Sequence, residues 1–99
     1  MVALLASPQK YIGKRIRMQG FLHLEFEGNA LYLHEEDYRY ALTGNACYLG
    51  LSKVQERKFA ALNHKYVLIE GTASGRLDLY DAHITNVTRV EPLPPNGPR

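Results

Sequence analysis

The sequence lacks the features that hold a chain together or anchor it by means other than a hydrophobic core. Its one cysteine, Cys47, excludes an internal disulfide. No stretch approaches the roughly 20 apolar residues of a transmembrane helix, so we expect no membrane contact. The 99 residues, 45% of them hydrophobic, suffice for one domain with one modest core. A lone cysteine suits a reducing compartment but also a periplasmic domain; this slightly favours the cytoplasm and leaves localisation open.

The sequence also lacks the motifs that would indicate catalysis. It has no Cys-x-x-Cys or His-Glu-x-x-His spacing, no phosphate-binding loop ending in Lys-Ser or Lys-Thr, and no nucleophile elbow. Cys47 falls in step with core-facing apolar positions, so we expect a small buried residue rather than a nucleophile. The sequence therefore favours a protein that is not an enzyme and has no cofactor.

Charge is close to balanced overall but unevenly distributed. The net charge of +2 and the pI near 8.8 fall short of a dedicated nucleic-acid arm. Half of the ten acids lie within one short stretch, namely Glu25, Glu27, Glu35, Glu36 and Asp37. Basic residues cluster further along, at Lys53, Arg57, Lys58 and Lys65. The pattern predicts an acidic hairpin and a basic helix on one small domain.

The acidic stretch alternates as a β-hairpin does. One face of a strand over residues 14–27 carries the apolar residues Ile16, Met18, Leu22, Leu24 and Phe26. The other face carries Arg15, Arg17, Gln19, Phe21, His23, Glu25 and Glu27. Gly28-Asn29 reads as a two-residue type II′ turn. That turn predicts a register that pairs Glu25 with Tyr32 and His23 with His34.

The rest of the chain divides into further strands and one clear helix. We expect a short N-terminal helix, with Ser7-Pro8 at the start of a turn that ends at Gly13. Residues 35–45 read as a polar connection rich in aromatics, and residues 46–51 as a strand. A helix capped by Ser52 and ended by Asn63 precedes a strand over residues 64–74. The last strand should bulge near Thr85-Asn86.

Three strands, a helix and two more strands are the order of a five-stranded Greek-key barrel, the OB-fold. We therefore predict a mainly β domain over residues 1–91 with a short N-terminal helix and a helix between strands 3 and 4. Residues 92–99 should be a disordered, Pro-rich tail. The stretches "PQKYIGK" and "LEFEGNALYL" resemble a group of small, uncharacterised bacterial OB-fold domains over about residues 4–90. The resemblance implies the fold and implies no chemistry, because the OB-fold hosts many unrelated functions.

The outward face of strands 1–3 is the candidate site, although the commonest reason for such a polar face is solvation. A protein partner is the first hypothesis, since aromatic anchors with a charged rim are typical of transient interfaces. The partner could carry a basic surface or be a second copy of this chain. The predicted binding residues are Phe21, His23, Glu25, Tyr32, His34, Tyr38, Tyr40 and Tyr48.

Two other hypotheses use the same face. Single-stranded nucleic acid could stack on the same aromatics, with phosphates bound by Arg15, Arg17 and Arg39. The acids beside those aromatics oppose this, because a phosphate track needs cations. A zinc ion held by His23 and His34, with Glu25 or Glu36 as a third ligand, is a more distant alternative.

Overall fold

The computed structural model describes residues 8–25, 28–74 and 82–94. Its strands are β1 (Arg15–His23), β2 (Ala30–Tyr32), β3 (Ala46–Leu49), β4 (Tyr66–Ser74) and β5 (Ala82–Pro92). Its α-helices are α1 (Glu35–Arg39) and α2 (Lys53–Lys58). Single 3₁₀ turns cover Pro8–Tyr11, Thr43–Asn45 and Ala60–Leu62. No helix among these residues is long and apolar enough to cross a bilayer.

The five strands form a closed barrel in the order β1-β2-β3-β5-β4, with β4 pairing back onto β1. Neighbouring strands are antiparallel except β3 and β5, which run parallel. The helix α2 lies between β3 and β4 in the chain. This order, closure and helix placement confirm the predicted OB-fold barrel. The helix expected before Ser7 lies outside the described residues.

Strand alternation places the core as the sequence predicts. In β4 every second residue is buried, including Val67, Ile69 and Ala73. Met18 and Leu22 of β1 point into the same core. Ser52 caps α2 by accepting a hydrogen bond from the backbone N–H of Gln55. The end of α2 then turns Phe59, which is 9% exposed, onto the barrel interior.

The predicted hairpin register is wrong. The structure pairs Phe21 with Tyr32 and His23 with Ala30, and residues 24–29 separate the two strands. Asn29 is the physical reason, because its side chain is buried and bonds in two directions. Its Oδ1 accepts from the backbone N–H of Glu25, and its Nδ2 donates to Glu56 of α2. The register moves by four residues, an even number, so the side chains of β1 and β2 keep their predicted faces.

The bulge in β5 is confirmed. Glu70 pairs with Arg89, yet Thr72 pairs with Thr85, so three residues of β5, 86–88, lie opposite Gly71 alone. Asn86 accommodates the bulge with a left-handed backbone at φ 50°.

The polar connection after β2 contains a helix that the sequence reasoning missed. The backbone N–H of His34 donates to the Asp37 carboxylate at 2.9 Å, which holds the start of α1. In a capping box, a side chain three positions after the N-cap residue accepts a hydrogen bond from the N-cap backbone N–H, and this marks the start of a helix. His34-x-x-Asp37 is a variant of that motif. At the other end of the domain, β5 runs to Pro92 and the N–H of Leu93 donates to the Tyr66 carbonyl. Pro92 and Leu93 therefore take part in the pairing of β5 with β4.

Candidate interaction surface

The outer face of β1 and β2 is not the open surface that the sequence predicted. Phe21 is 3% exposed and Tyr32 is 6% exposed. They form a second apolar cluster with Ala30 and Ala46, separate from the barrel core. Tyr38 of α1 packs onto this cluster and shields it from solvent. The prediction that Phe21 and Tyr32 are exposed was wrong because it treated residues 35–45 as an irregular loop.

Six rings meet beneath and beside α1; this aromatic cluster consists of Phe21, His23, Tyr32, Tyr38, His64 and Tyr66. The ring centroid of Tyr38 lies 5.7 Å from those of both Phe21 and Tyr32. Phe21 also meets Tyr66 edge to face at 5.4 Å. Such tilted and edge-to-face pairs add about 0.5–1.5 kcal/mol each beyond the area they bury. The cluster therefore fixes α1 against the barrel.

Two histidines and a carboxylate form a chain at the edge of the aromatic cluster. The Nδ1 of His23 lies 2.9 Å from the Nε2 of His64, and the Nε2 of His23 lies 2.7 Å from Glu25. The His23 side chain is 13% exposed, whereas that of Glu25 is 61% exposed. His23 and Glu25 were predicted from the sequence as site residues. Their contact with His64 was not.

His64 is the residue that the sequence reasoning missed. Its backbone is left-handed at φ 61°, and its N–H donates to the Leu22 carbonyl of β1. That bond places the imidazole beside His23, across the β1·β4 pairing. A signal was present, because a helix often ends in a left-handed residue and Asn63-His64 follows the predicted helix. The left-handed residue is His64 and not Asn63, the residue predicted to end the helix.

His34 does not have the position opposite His23 that the sequence predicted for it. The predicted pairing of His34 with His23 does not form, because the register differs and His34 precedes α1. Its side chain is 63% exposed and its Nδ1 lies 3.5 Å from Asp37. The zinc arrangement that needs His23 opposite His34 is thus absent. Within residues 8–25, 28–74 and 82–94, no group of three or more His, Cys, Asp or Glu side chains could hold a metal ion.

Asp37 anchors the connection from inside. Although charged, it is only 7% exposed. Its carboxylate accepts hydrogen bonds from the His34 backbone at 2.9 Å and from the Asn45 side chain at 3.0 Å. Its carbonyl accepts from the N–H of Leu42 at 2.8 Å. These bonds connect both ends of residues 34–45, which we call the docking segment.

The docking segment presents two large side chains to solvent. Tyr40 is 73% exposed and Leu42 is 48% exposed. Between them Ala41 has a left-handed backbone at φ 53°, a conformation that costs a residue with a Cβ about 1–2 kcal/mol. Strain of this kind persists only where the surroundings impose it, here through Asp37 and Tyr38, whose carbonyls accept from Leu42 and Ala41. Tyr40 was predicted as a site residue, and Leu42 was not.

Tyr48 belongs to a different part of the outer face. It is half-buried in β3, opposite Ala30 of β2 and His83 of β5. Its ring lies 5.0 Å from that of His83, which is 4% exposed. The structure therefore separates Tyr48 from Tyr38 and Tyr40, with which it was grouped.

The three arginines of the nucleic-acid hypothesis all have intramolecular partners. Arg15 donates to the Asn86 carbonyl at 2.7 Å and to the hydroxyl groups of Thr72 and Thr88, which closes the β5 bulge. Arg17 pairs with Glu70 at 3.0 Å. Arg39 pairs with Glu35 at 2.6 Å, one helical turn away. Each guanidinium thus has a role within the fold.

Most of the acids on the acidic side of the predicted charge polarity have partners within the molecule. Glu25 contacts His23, Glu35 pairs with Arg39, and Asp37 is buried. Glu36 is exposed and makes no ion pair with another described residue. Glu27 lies outside the described residues. Glu25 and Glu36 both present carboxylates to solvent, and Glu36 lies on the docking segment itself.

Comparisons with protein-family models, with curated proteins and with solved structures found no significant match to this chain. The resemblance to small bacterial OB-fold domains stays a prediction from the sequence.

Proposed function

We propose that this protein is a non-catalytic OB-fold binding module that docks a protein partner on residues 34–45. The observation that carries the proposal is the exposure of Tyr40 and Leu42 on a segment whose base is buried. Tyrosine is enriched among the residues that dominate binding energy at interfaces. The proposed contact surface is therefore the docking segment, which covers the strand face that the sequence predicted as the site.

The rigidity of the docking segment supports this proposal. Asp37, through its hydrogen bonds, and Tyr38, through its ring contact with Phe21, fix the backbone of the docking segment. The backbone around Tyr40 and Leu42 therefore loses little conformational entropy on binding. A pre-organised surface binds more tightly because less conformational entropy is lost on association. The free carboxylate of Glu36 lies on the same segment. It is complementary to a partner that carries basic groups around an apolar pocket.

Single-stranded nucleic acid has less support as the ligand. Its stacking platform would need Phe21 and Tyr32, which are covered, and its phosphate contacts would need arginines that are already bonded. The exposed cations Lys53, Arg57 and Lys58 lie on α2, and Lys65 lies just before β4. None of them makes an ion pair with another described residue. Of the aromatic residues next to these cations, Phe59 is 9% exposed and Tyr66 is 36% exposed.

The test is site-specific photocrosslinking in cells of the source organism. A photoreactive phenylalanine analogue replaces Tyr40 in one variant and Val54 in the matched control, which is 65% exposed on α2. We expect a discrete crosslinked product from position 40 that is lost when Leu42→Asp is added. A product at twice the mass of the chain identifies a second copy as the partner.

Two outcomes would overturn the proposal. One is equal crosslinking from positions 40 and 54, which indicates random collision. The other is binding of a labelled single strand, measured by fluorescence anisotropy, that weakens steeply with salt and is lost in Tyr40→Ala. The second result makes nucleic acid the ligand of the docking segment.

A further inference from the structure

The contact between His23 and His64 is a hydrogen bond only in certain protonation states of the two rings. The two ring planes are within 6° of parallel, and the facing nitrogens are 2.9 Å apart. A hydrogen bond at this distance needs one nitrogen with a proton and one with a lone pair. Two protonated nitrogens cannot face each other there.

Glu25, which is hydrogen-bonded to His23, determines which ring nitrogens of the two histidines carry hydrogens. The Nε2 of His23 faces a Glu25 oxygen at 2.7 Å, so it carries a hydrogen and donates. In the neutral pair the Nδ1 of His23 therefore accepts from the Nε2–H of His64. One added proton leaves the bond intact, because either ring can then be the cation and donor. When both rings are cations, the two facing nitrogens both carry hydrogens and the bond is lost.

The other groups around the pair are few. From α1, the phenol ring of Tyr38 lies 4.4 Å from His23 and 5.0 Å from His64, centroid to centroid. Glu25 is the carboxylate that contacts the pair, and no ion pair joins His64 to an acid within the described ranges. From β2, the residue opposite His23 is uncharged Ala30. Next to His64 in the chain, Lys65 is an exposed cation.

The pair is also part of the support for the docking segment. His23 and His64 both contact the ring of Tyr38, and His64 lies parallel to Phe21 at 5.8 Å. His64 is exposed, whereas His23 is largely buried and bonded to Glu25. When the bond breaks, His64 is the ring that can move into water. Tyr38 then loses one of its ring contacts, and the anchor of α1 is weakened.

We propose that the His23–His64 hydrogen bond makes the anchoring of the docking segment pH-sensitive, because the bond persists with one added proton and breaks with two. The inference rests on the proposed function for its biological consequence, which is release of a partner on acidification. Its structural part concerns Tyr38 and residues 40–42 and needs no partner. Histidine is the residue suited to this, since it changes charge between about pH 5 and 8.

The experiment is an NMR titration of the full chain between about pH 8 and 5. We expect the ring signals of His23 and His64 to move together, as a coupled pair does. The amide hydrogens of Ala41 and Leu42 bond to Tyr38 and Asp37. Their protection against exchange, taken relative to the intrinsic exchange rate at each pH, should fall severalfold at the acidic end.

Two variants make the result decisive. His64→Asn keeps the left-handed backbone, which Asn tolerates, and removes the facing imidazole. We expect it to abolish the acid-dependent loss of protection at Ala41 and Leu42, while Lys65→Gln, at the exposed cation next in the chain, leaves that loss unchanged. Protection at Ala41 and Leu42 that stays constant while the histidines titrate, or the same acid response in His64→Asn, would overturn the proposal.

The two proposals can fail separately. An acid-dependent anchor without a crosslink at Tyr40 keeps the switch and removes the docking function. A crosslink at Tyr40 with a pH-independent anchor keeps the function and removes the switch.

Discussion

His23 and His64 are 41 positions apart in the chain, yet their imidazole nitrogens lie 2.9 Å apart. The contact joins the end of β1 to the turn before β4. It depends on the left-handed backbone of His64 and on the bond from its N–H to Leu22. Through Tyr38 it reaches α1, so one pair of side chains connects the barrel to the segment that we propose binds a partner.

Asp37→Ala should loosen the docking segment. The change removes the acceptor of the His34 N–H and of the Asn45 amide, and leaving such buried donors unsatisfied costs about 1–3 kcal/mol. Urea unfolding measures the loss. Glu36→Ala, on the same helix but exposed, should stay within about 0.5 kcal/mol of the parent. Equal effects from the two substitutions would contradict the anchoring role.

Ala41→Gly should raise the free energy of unfolding. Glycine adopts the left-handed backbone without the Cβ clash, which outweighs its greater entropy in the unfolded chain. We expect a gain of about 0.5–1 kcal/mol by chemical denaturation. Ala60→Gly, in a 3₁₀ turn without a positive φ, should instead be destabilising. A loss at position 41 would mean that the backbone there is not strained.

Gly71→Ala should be strongly destabilising. A Cβ at this position would lie 2.4 Å from a methyl carbon of Ile84 and 3.1 Å from the Thr85 carbonyl oxygen. Overpacking opposite the bulge should lower the free energy of unfolding by about 2 kcal/mol, measurable as an earlier urea midpoint. Gly44→Ala is the matched control, because nothing lies within 4 Å of its added Cβ. A neutral Gly71→Ala would show that the bulge adjusts freely.

Glu70→Gln should lose its effect as the solution is acidified. The hydrogen bond from Arg17, and then that from Arg89, lowers the pKa of Glu70 below its usual value. A carboxyl with a lowered folded-state pKa contributes stability above its unfolded pKa, and that contribution disappears as the pH falls through the folded value. The stability difference between parent and variant should therefore shrink from pH 7 to about pH 3. A difference that grows on acidification would have the wrong sign.

Cys47 should be inert in the folded protein. Burial raises the pKa of its thiol to about 12, so almost no reactive thiolate forms near neutral pH. We expect labelling by a thiol reagent to be slow in buffer and rapid in denaturant, at a rate that follows unfolding. Rapid labelling in buffer would show that the core around Cys47 opens without global unfolding.

The sequence by itself determined the barrel. Period-two alternation in β1 and β4, the Ser52 cap of α2 and the bulge at Asn86 depend on neighbouring residues, so local reasoning found them. Strand order followed from the position of the helix between β3 and β4. The residues that face the core were predicted even where the register was wrong, since a slip of four preserves the faces.

Only the tertiary structure decided the candidate site. The side chain of Asn29 bonds to α2, which lengthens the turn and changes the register in a way that no local pattern shows. The five residues of α1 are too few for a helix to be stable alone, and α1 depends on Asp37, Tyr38 and the rings beneath them. His64 reaches His23 only because the barrel closes β4 onto β1. Contacts between distant parts of the chain arise from packing, which the order of residues does not display.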